Sequence, residues 1–189
     1  EAQTAGATVI RHARNTGVGG AIRTGIDYAR EKGFNIVTIL SGDDQHDPKE
    51  LPIVLKPIIE DGYDFVQGSR RLGGTRVVDV SLFRRVFTWV YAVMIRLLTG
   101  FPFTDGTNGF RAFRTTIFDD GRINLWQDWL NTYELEPYLL YKAVETGLKI
   151  TEVPITIYYH KKGYTKMRPI RDWWRISRPL IYLKLGIKK

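Results

Sequence analysis

The sequence predicts an α/β fold of Rossmann-like type, a mostly parallel sheet covered by helices on both faces. Three observations point there. Segments with strand-like and helix-like apolar patterns alternate along the chain over short connections. One apolar segment runs straight into a cluster of acids and amides, as strands do at the ligand-binding edge of an open sheet. Finally, 189 residues with 43% hydrophobic and 25% charged composition suit one domain with a real core.

The elements follow in order. Ala7–Arg11 reads as a strand. Gly17–Lys32 reads as a helix, because Ile22, Ile26 and Ala29 recur at helical spacing before Gly33 stops it. Asn35–Leu40 is the next strand. Pro48–Ile59 starts a helix with Pro and Glu in its first turn, and Asp61-Gly62 closes it. Asp64–Gln67 is a third strand, Leu82–Leu98 a long apolar helix, Glu134–Glu145 another helix stopped at Gly147, and Ile150–Tyr159 a fourth strand. The chain opens in a helix-to-strand connection with no strand before it to pair beside Ala7–Arg11. The expectation is a fold whose N-terminal unit lies outside this sequence.

Composition narrows the function. With no cysteine, disulfides, thiolate zinc sites and a cysteine nucleophile are excluded. The net charge of +8 is uneven. Residues 160–189 carry many Lys and Arg against one acid, Asp172, and a second basic cluster runs through Arg70, Arg71, Arg76, Arg84 and Arg85. Such patches suit phosphorylated small molecules, anionic lipid head groups or nucleic acid. The most apolar stretch, Val86–Phe103, is interrupted by Arg96 and Pro102 and is not a membrane span.

The segment Ile39-Leu40-Ser41-Gly42-Asp43-Asp44-Gln45-His46-Asp47-Pro48 carries the most chemistry. Asp43, Asp44, Gln45 and Asp47 are oxygen donors of the kind hard divalent cations prefer. The same residues also suit a polar turn with Asp47 capping a helix that starts at Pro48. The run Gly17-Val18-Gly19-Gly20 suits either phosphate binding at a helix start or a tight turn into that helix. As a dinucleotide fingerprint it is weak, since Ile22 occupies the last glycine position. Arg70 and Arg111 suit bidentate contacts to phosphate oxygens, and Asp105 with Arg111 equally suits a structural ion pair.

These motifs, in this order, resemble glycosyltransferase family two, in its dolichol-phosphate mannose synthase-like (polyprenyl-phosphate glycosyltransferase) branch. The strand-end motif there is Asp, a small residue, Asp, any residue, Gln, His. Aligned on Gln45-His46, its second Asp falls on Asp43, while Ser41 stands at the first. Gly68-Ser69-Arg70 is similar to the family's Gly-Ser-Arg. Asp105-Gly106-Thr107-Asn108-Gly109-Phe110-Arg111 is similar to its Asp-x-x-Ser-Gly-Phe-Arg, with Asn108 for Ser. Glu152-Val153-Pro154 and Gly163-Tyr164-Thr165-Lys166 resemble its Glu-Val-Pro strand and Gly-x-Ser-Lys loop, with His160 where Arg is usual.

The resemblance implies a GT-A (nucleotide-diphospho-sugar transferase) fold, a three-layer α/β/α sandwich, lacking here its opening strand and acidic donor-binding turn. Residues 1–159 are the expected transferase domain. Residues 160–189 are the expected acceptor loop and membrane-surface helix. The implied reaction is inverting transfer of a hexose from a GDP- or UDP-linked sugar to a polyprenyl phosphate, with Mg²⁺ or Mn²⁺ on Asp43 and Gln45. Asp43 and Glu134 are the implied catalytic residues, Glu134 as a candidate base. Gly17, Gly19, Arg70, Arg111, His160 and Lys166 are the implied contacts to donor or phosphate. The implied place is the cytoplasmic face of a membrane, peripherally, with no nucleic-acid partner. Alternatives are an inactive nucleotide-binding relative, a transferase using a saccharide hydroxyl acceptor, and a nucleic-acid binder driven by the basic tail.

Overall fold

The computed structural model describes residues 1–73, 77–78, 82–159 and 169–189. The helices are α1 (Gly17–Glu31), α2 (Leu51–Glu60), α3 (Leu82–Thr99), α4 (Leu135–Glu145) and α5 (Pro169–Lys184). The strands are β1 (Ile36–Ile39), β2 (Phe65–Ser69), β3 (Val77–Val78), β4 (Arg111–Arg114), β5 (Ile150–Pro154) and β6 (Ile157–Tyr158). Each helix expected from apolar spacing is present within a residue or two at most ends. Asp47 does cap the turn at Pro48, its Oδ1 accepting from Lys49 N at 2.9 Å.

The main sheet has the order β1-β4-β2-β5. Strands β2 and β5 are parallel, while β4 runs antiparallel to both β1 and β2. The expectation of a mostly parallel sheet is corrected here by β4, an element the sequence hides. Arg111-Ala112-Phe113-Arg114 is short and bounded by arginines, so it lacks a strand's apolar signature. The expected strand at Ala7–Arg11 is corrected as well. That segment is exposed and irregular, and a strand without a paired neighbour is not stable in water. Ile150–Tyr159 divides into β5 and β6, and β6 pairs with β3 in a small second sheet.

Alternation on the strands builds three layers. Phe65 and Phe113, stacked at 5.8 Å, face one side with Ile150, against Ile26 of α1, Tyr91 and Ile95 of α3, Leu139 of α4 and Leu180 of α5. Val66, Ala112 and Val153 face the other side, against Val54 and Ile58 of α2. Because β1, β2 and β5 share one direction and β4 opposes them, three strands end and one begins at the same edge. The segments 41–47, 70–73 and 105–110 therefore meet there.

Candidate active site

At that edge the chain leaves β1 through Ser41–Asp44, with Asp44 in the left-handed region at φ 59°. Asp43 is exposed, and its Oδ1 accepts from Gln45 N at 3.3 Å. The far end of the turn is pinned. Gln45 O accepts from Tyr158 N at 3.0 Å, and His46 bridges Ile157. The His46 ring is buried against the edge of Phe110 at 5.3 Å, with Nε2 2.8 Å from Asn108 Oδ1. Burial lowers the His46 pKa, although the bond to Asn108 and the charges of Asp43 and Glu136 pull the other way.

A second cluster lies at the ends of β2 and β5. The Arg70 guanidinium grips the fully buried Asp105 carboxylate, Nε to Oδ2 at 2.5 Å and Nη2 to Oδ1 at 2.7 Å. Arg70 also donates to the Tyr159 hydroxyl at 2.6 Å and to the Thr107 hydroxyl. Burial alone would push the Asp105 carboxyl up, but Arg70 outweighs it and holds the group below the usual carboxylate range. Glu152 pins the same loop, accepting from Thr104 N at 2.7 Å and Asp105 N at 3.1 Å. Burial raises the Glu152 pKa in turn.

Arg111, 1% exposed, lies beneath the edge rather than on it. It donates to Asn108 O at 2.5 Å and pairs with Glu136 Oε1 at 3.1 Å. Glu136 and Glu134 separate clearly. The Glu134 side chain is 2% exposed and turned to α5, accepting from Arg178 at 2.6 Å, with Arg175 at 3.8 Å and Thr132 also in contact. The Glu136 side chain is 22% exposed. Its Oε1 and Ser41 Oγ each lie 3.5 Å from where a Gly109 Cβ would stand, so both border Gly109.

Gly17 and Gly19 serve a packing contact. A Cβ on Gly17 would meet Asn131 O at 2.3 Å, and one on Gly19 would meet Leu130 O at 2.1 Å. The N-terminus of α1 thus lies against the main chain of 130–132. His160 and Lys166 lie outside the described residues. The structure brings Asp43, Gln45 and Arg70 to one edge with Arg111 buried beneath it, and it places Glu134, Gly17 and Gly19 beside the loop that leads into α4. Sequence reasoning missed His46, Asn108, Glu136, Glu152 and Tyr159 as parts of this site. The motifs quoted above contain three of them, but nothing local marks which side chain meets which.

The donor set fits a cation held in one particular way. Among the described residues, no three acids or histidines gather into a ready cage. An exposed Asp43 carboxylate beside an amide fits Mg²⁺ or Mn²⁺ taken by one or two protein oxygens and completed by substrate phosphates and water.

Comparison with known proteins gives the family and the fold. The family model described as "Glycosyl transferase family 2" matches residues 1–122. The chain is 31% identical over 177 residues to a UDP-N-acetylglucosamine–dolichyl-phosphate N-acetylglucosaminyltransferase of Methanococcus voltae, covering 94% of this chain and 69% of that protein. It is 29% identical over 159 residues to an undecaprenyl-phosphate mannosyltransferase of Micrococcus luteus, covering 84% and 64%. Its fold matches glucosyl-3-phosphoglycerate synthase from Mycobacterium tuberculosis in complex with Mn²⁺ and UDP-glucose. That match has a TM-score of 0.64 at 18% identity and covers all of this chain and 64% of that one. The chain therefore spans about two thirds of the length of these proteins.

Proposed function

The chain belongs to glycosyl transferase family 2, and from that premise we propose that it transfers a hexose, with inversion, from a GDP- or UDP-linked sugar to a polyprenyl phosphate at a membrane surface. The observation that carries this reading is the exposed Asp43 carboxylate, with Gln45, at the edge where β1, β2 and β5 end. Relatives named for polyprenyl-phosphate acceptors support the acceptor class.

Asp43 and Gln45 would hold Mg²⁺ or Mn²⁺, which when bound neutralises charge on the departing nucleoside diphosphate. A phosphate acceptor is already anionic, so the chain has no strong base to supply. Arg70 is a positioning residue in this scheme. Its donors are engaged by Asp105, Thr107 and Tyr159, and it shapes the loop that borders the donor. Arg111 orients Glu136 beside Gly109 and Ser41. Glu134 anchors α5, and Gly17 and Gly19 admit close packing of α1. His160 and Lys166 are proposed to meet phosphate, with 1–159 forming the transferase body and 160–189 the acceptor side. A hydroxyl acceptor is the second reading, and one observation favours it: Glu136 is a partly exposed carboxylate near Ser41 and Gly109 at the site edge.

The membrane surface is proposed from α3. Leu82, Val86, Trp89, Val90 and Leu97 are exposed along that helix beside exposed Arg85 and Arg96. Among the described residues no helix is long and apolar enough to cross a membrane. Peripheral binding at the cytoplasmic leaflet, which carries anionic lipid, fits a basic chain.

The test is transfer of labelled sugar from a panel of UDP- and GDP-sugars to polyprenyl phosphate in vesicles. Activity lost with EDTA and in Asp43→Ala supports the proposal and names the donor. Transfer to a saccharide hydroxyl and not to the lipid phosphate would favour the second reading. No transfer to either sinks both.

A further inference from the structure

Four of the five buried side-chain atoms without a hydrogen-bond partner among the described residues belong to one group: His46 Nδ1, Gln67 Oε1, Asn108 Nδ2 and Arg111 Nε. These four residues come from the strand-end turn, β2, the 105–110 loop and β4, and each is at least nine-tenths buried. Native interiors rarely leave such atoms unpaired, so their concentration under one turn asks for a reason.

Asn108 is the centre of the group. Its Oδ1 accepts from His46 Nε2 at 2.8 Å and from Phe110 N at 3.0 Å. Its main-chain oxygen accepts from Gln67 Nε2 at 2.9 Å and Arg111 Nη2 at 2.5 Å. The bond from Phe110 assigns the roles. A main-chain N–H only donates, so the atom it meets is the amide oxygen, and His46 Nε2 must donate to it as well. The neutral imidazole therefore carries its proton on Nε2, and Nδ1 holds a bare lone pair.

We infer that Asn108 is the positioning residue of the strand-end site: through His46 it sets the turn that presents Asp43 and Gln45. The turn is held where it leaves β1 and at His46, and its middle is exposed, with Asp44 in a left-handed conformation. The main chain of Gln45 and His46 is tied to β6 through Tyr158 N and Ile157. The His46–Asn108 bond adds a second tie from the 105–110 loop, one residue from Gln45 and three from Asp43. The amide is suited to this task in three ways. Its reach spans both His46 and the main chain of Phe110. It stays neutral where only 2% of the residue is exposed. Its oxygen also selects the imidazole tautomer. A hydroxyl at this position is shorter, and an alanine removes the acceptor.

The inference rests on the proposed cation site, and the experiment separates the two. Mn²⁺ binding to the full chain is followed by electron paramagnetic resonance, with UDP or GDP present, well below the melting temperature of each variant. Asn108→Ala is expected to weaken Mn²⁺ binding about tenfold, as loss of a group that orients a ligand does. Asn108→Asp keeps an accepting oxygen but buries a charge, and is expected to melt lower than wild type while retaining more Mn²⁺ binding than Asn108→Ala. His46→Leu, which removes the same tie from the other side, is expected to match Asn108→Ala and serves in its place should that variant not fold. Folded Asn108→Ala or His46→Leu protein with unchanged Mn²⁺ affinity overturns the positioning role alone. Wild-type protein that binds no Mn²⁺ with either nucleotide overturns the cation site, and the positioning role with it.

Discussion

Arg70 and Asp105 form a two-pronged ion pair, at 2.5 and 2.7 Å, in which the carboxylate is wholly buried and the guanidinium nearly so. The pair joins the end of β2 to the loop before β4. Asp105→Asn leaves a buried guanidinium without its counter-charge and is expected to cost about 3 kcal/mol. The acid dependence follows in sign. The Asp105 carboxyl is held below its ordinary value, so its contribution is present above the unfolded carboxylate pKa and is lost as pH falls through the lowered folded one. Thermal melts at neutral pH should separate wild type from Asp105→Asn widely. The gap should narrow on moving well below pH ~4. A gap that stays constant across that range would contradict the assignment.

Glu134 and Glu136 are two residues apart and differ in what they touch. Glu134→Gln should loosen α5 by weakening its charge-assisted bond to Arg178 and its ion pair with Arg175, at a cost of about 2 kcal/mol. With a hydroxyl acceptor, Glu136→Gln should instead lower turnover more than Glu134→Gln does, both compared where circular dichroism shows folded protein. The reverse ranking would return the catalytic edge to Glu134.

Gly17→Ala and Gly19→Ala probe packing against phosphate binding. Each added methyl would sit within 2.3 Å of a main-chain oxygen, so the 130–132 segment must move. A loss of about 2 kcal/mol is expected in denaturant titrations. The KM for the sugar donor should remain that of wild type at low temperature. A raised donor KM with unchanged stability would make these glycines donor contacts after all.

The exposed face of α3 carries the membrane proposal. Trp89 is 57% and Leu97 77% exposed, so replacing both by alanine should leave the melting temperature unchanged. Partition onto vesicles containing anionic lipid should fall about tenfold, as expected for two lost apolar contacts. Added salt should weaken the wild-type binding further by screening Arg85 and Arg96. Equal binding of wild type and variant would remove α3 from the membrane face.

Sequence alone determined the helices and the run of oxygen donors that follows β1. Ile22, Ile26 and Ala29 mark α1 because a helix buries one face at a spacing that any apolar count detects. Asp43 and Gln45 mark the strand end because oxygen donors directly after an apolar strand suit a cation, while Asp47 of the same run caps the turn at Pro48. The tertiary structure decided the rest. Strand β4 exists because β1 and β2 lie on either side of it, a cause that Arg111–Arg114 does not carry within itself. The partner of Arg70 is Asp105, 35 positions away, and that of Arg111 is Glu136. Both arginines have the composition of a phosphate ligand, and only packing shows their charges already met. Residue type sets what a side chain can bind, while the folded chain sets which group reaches it first.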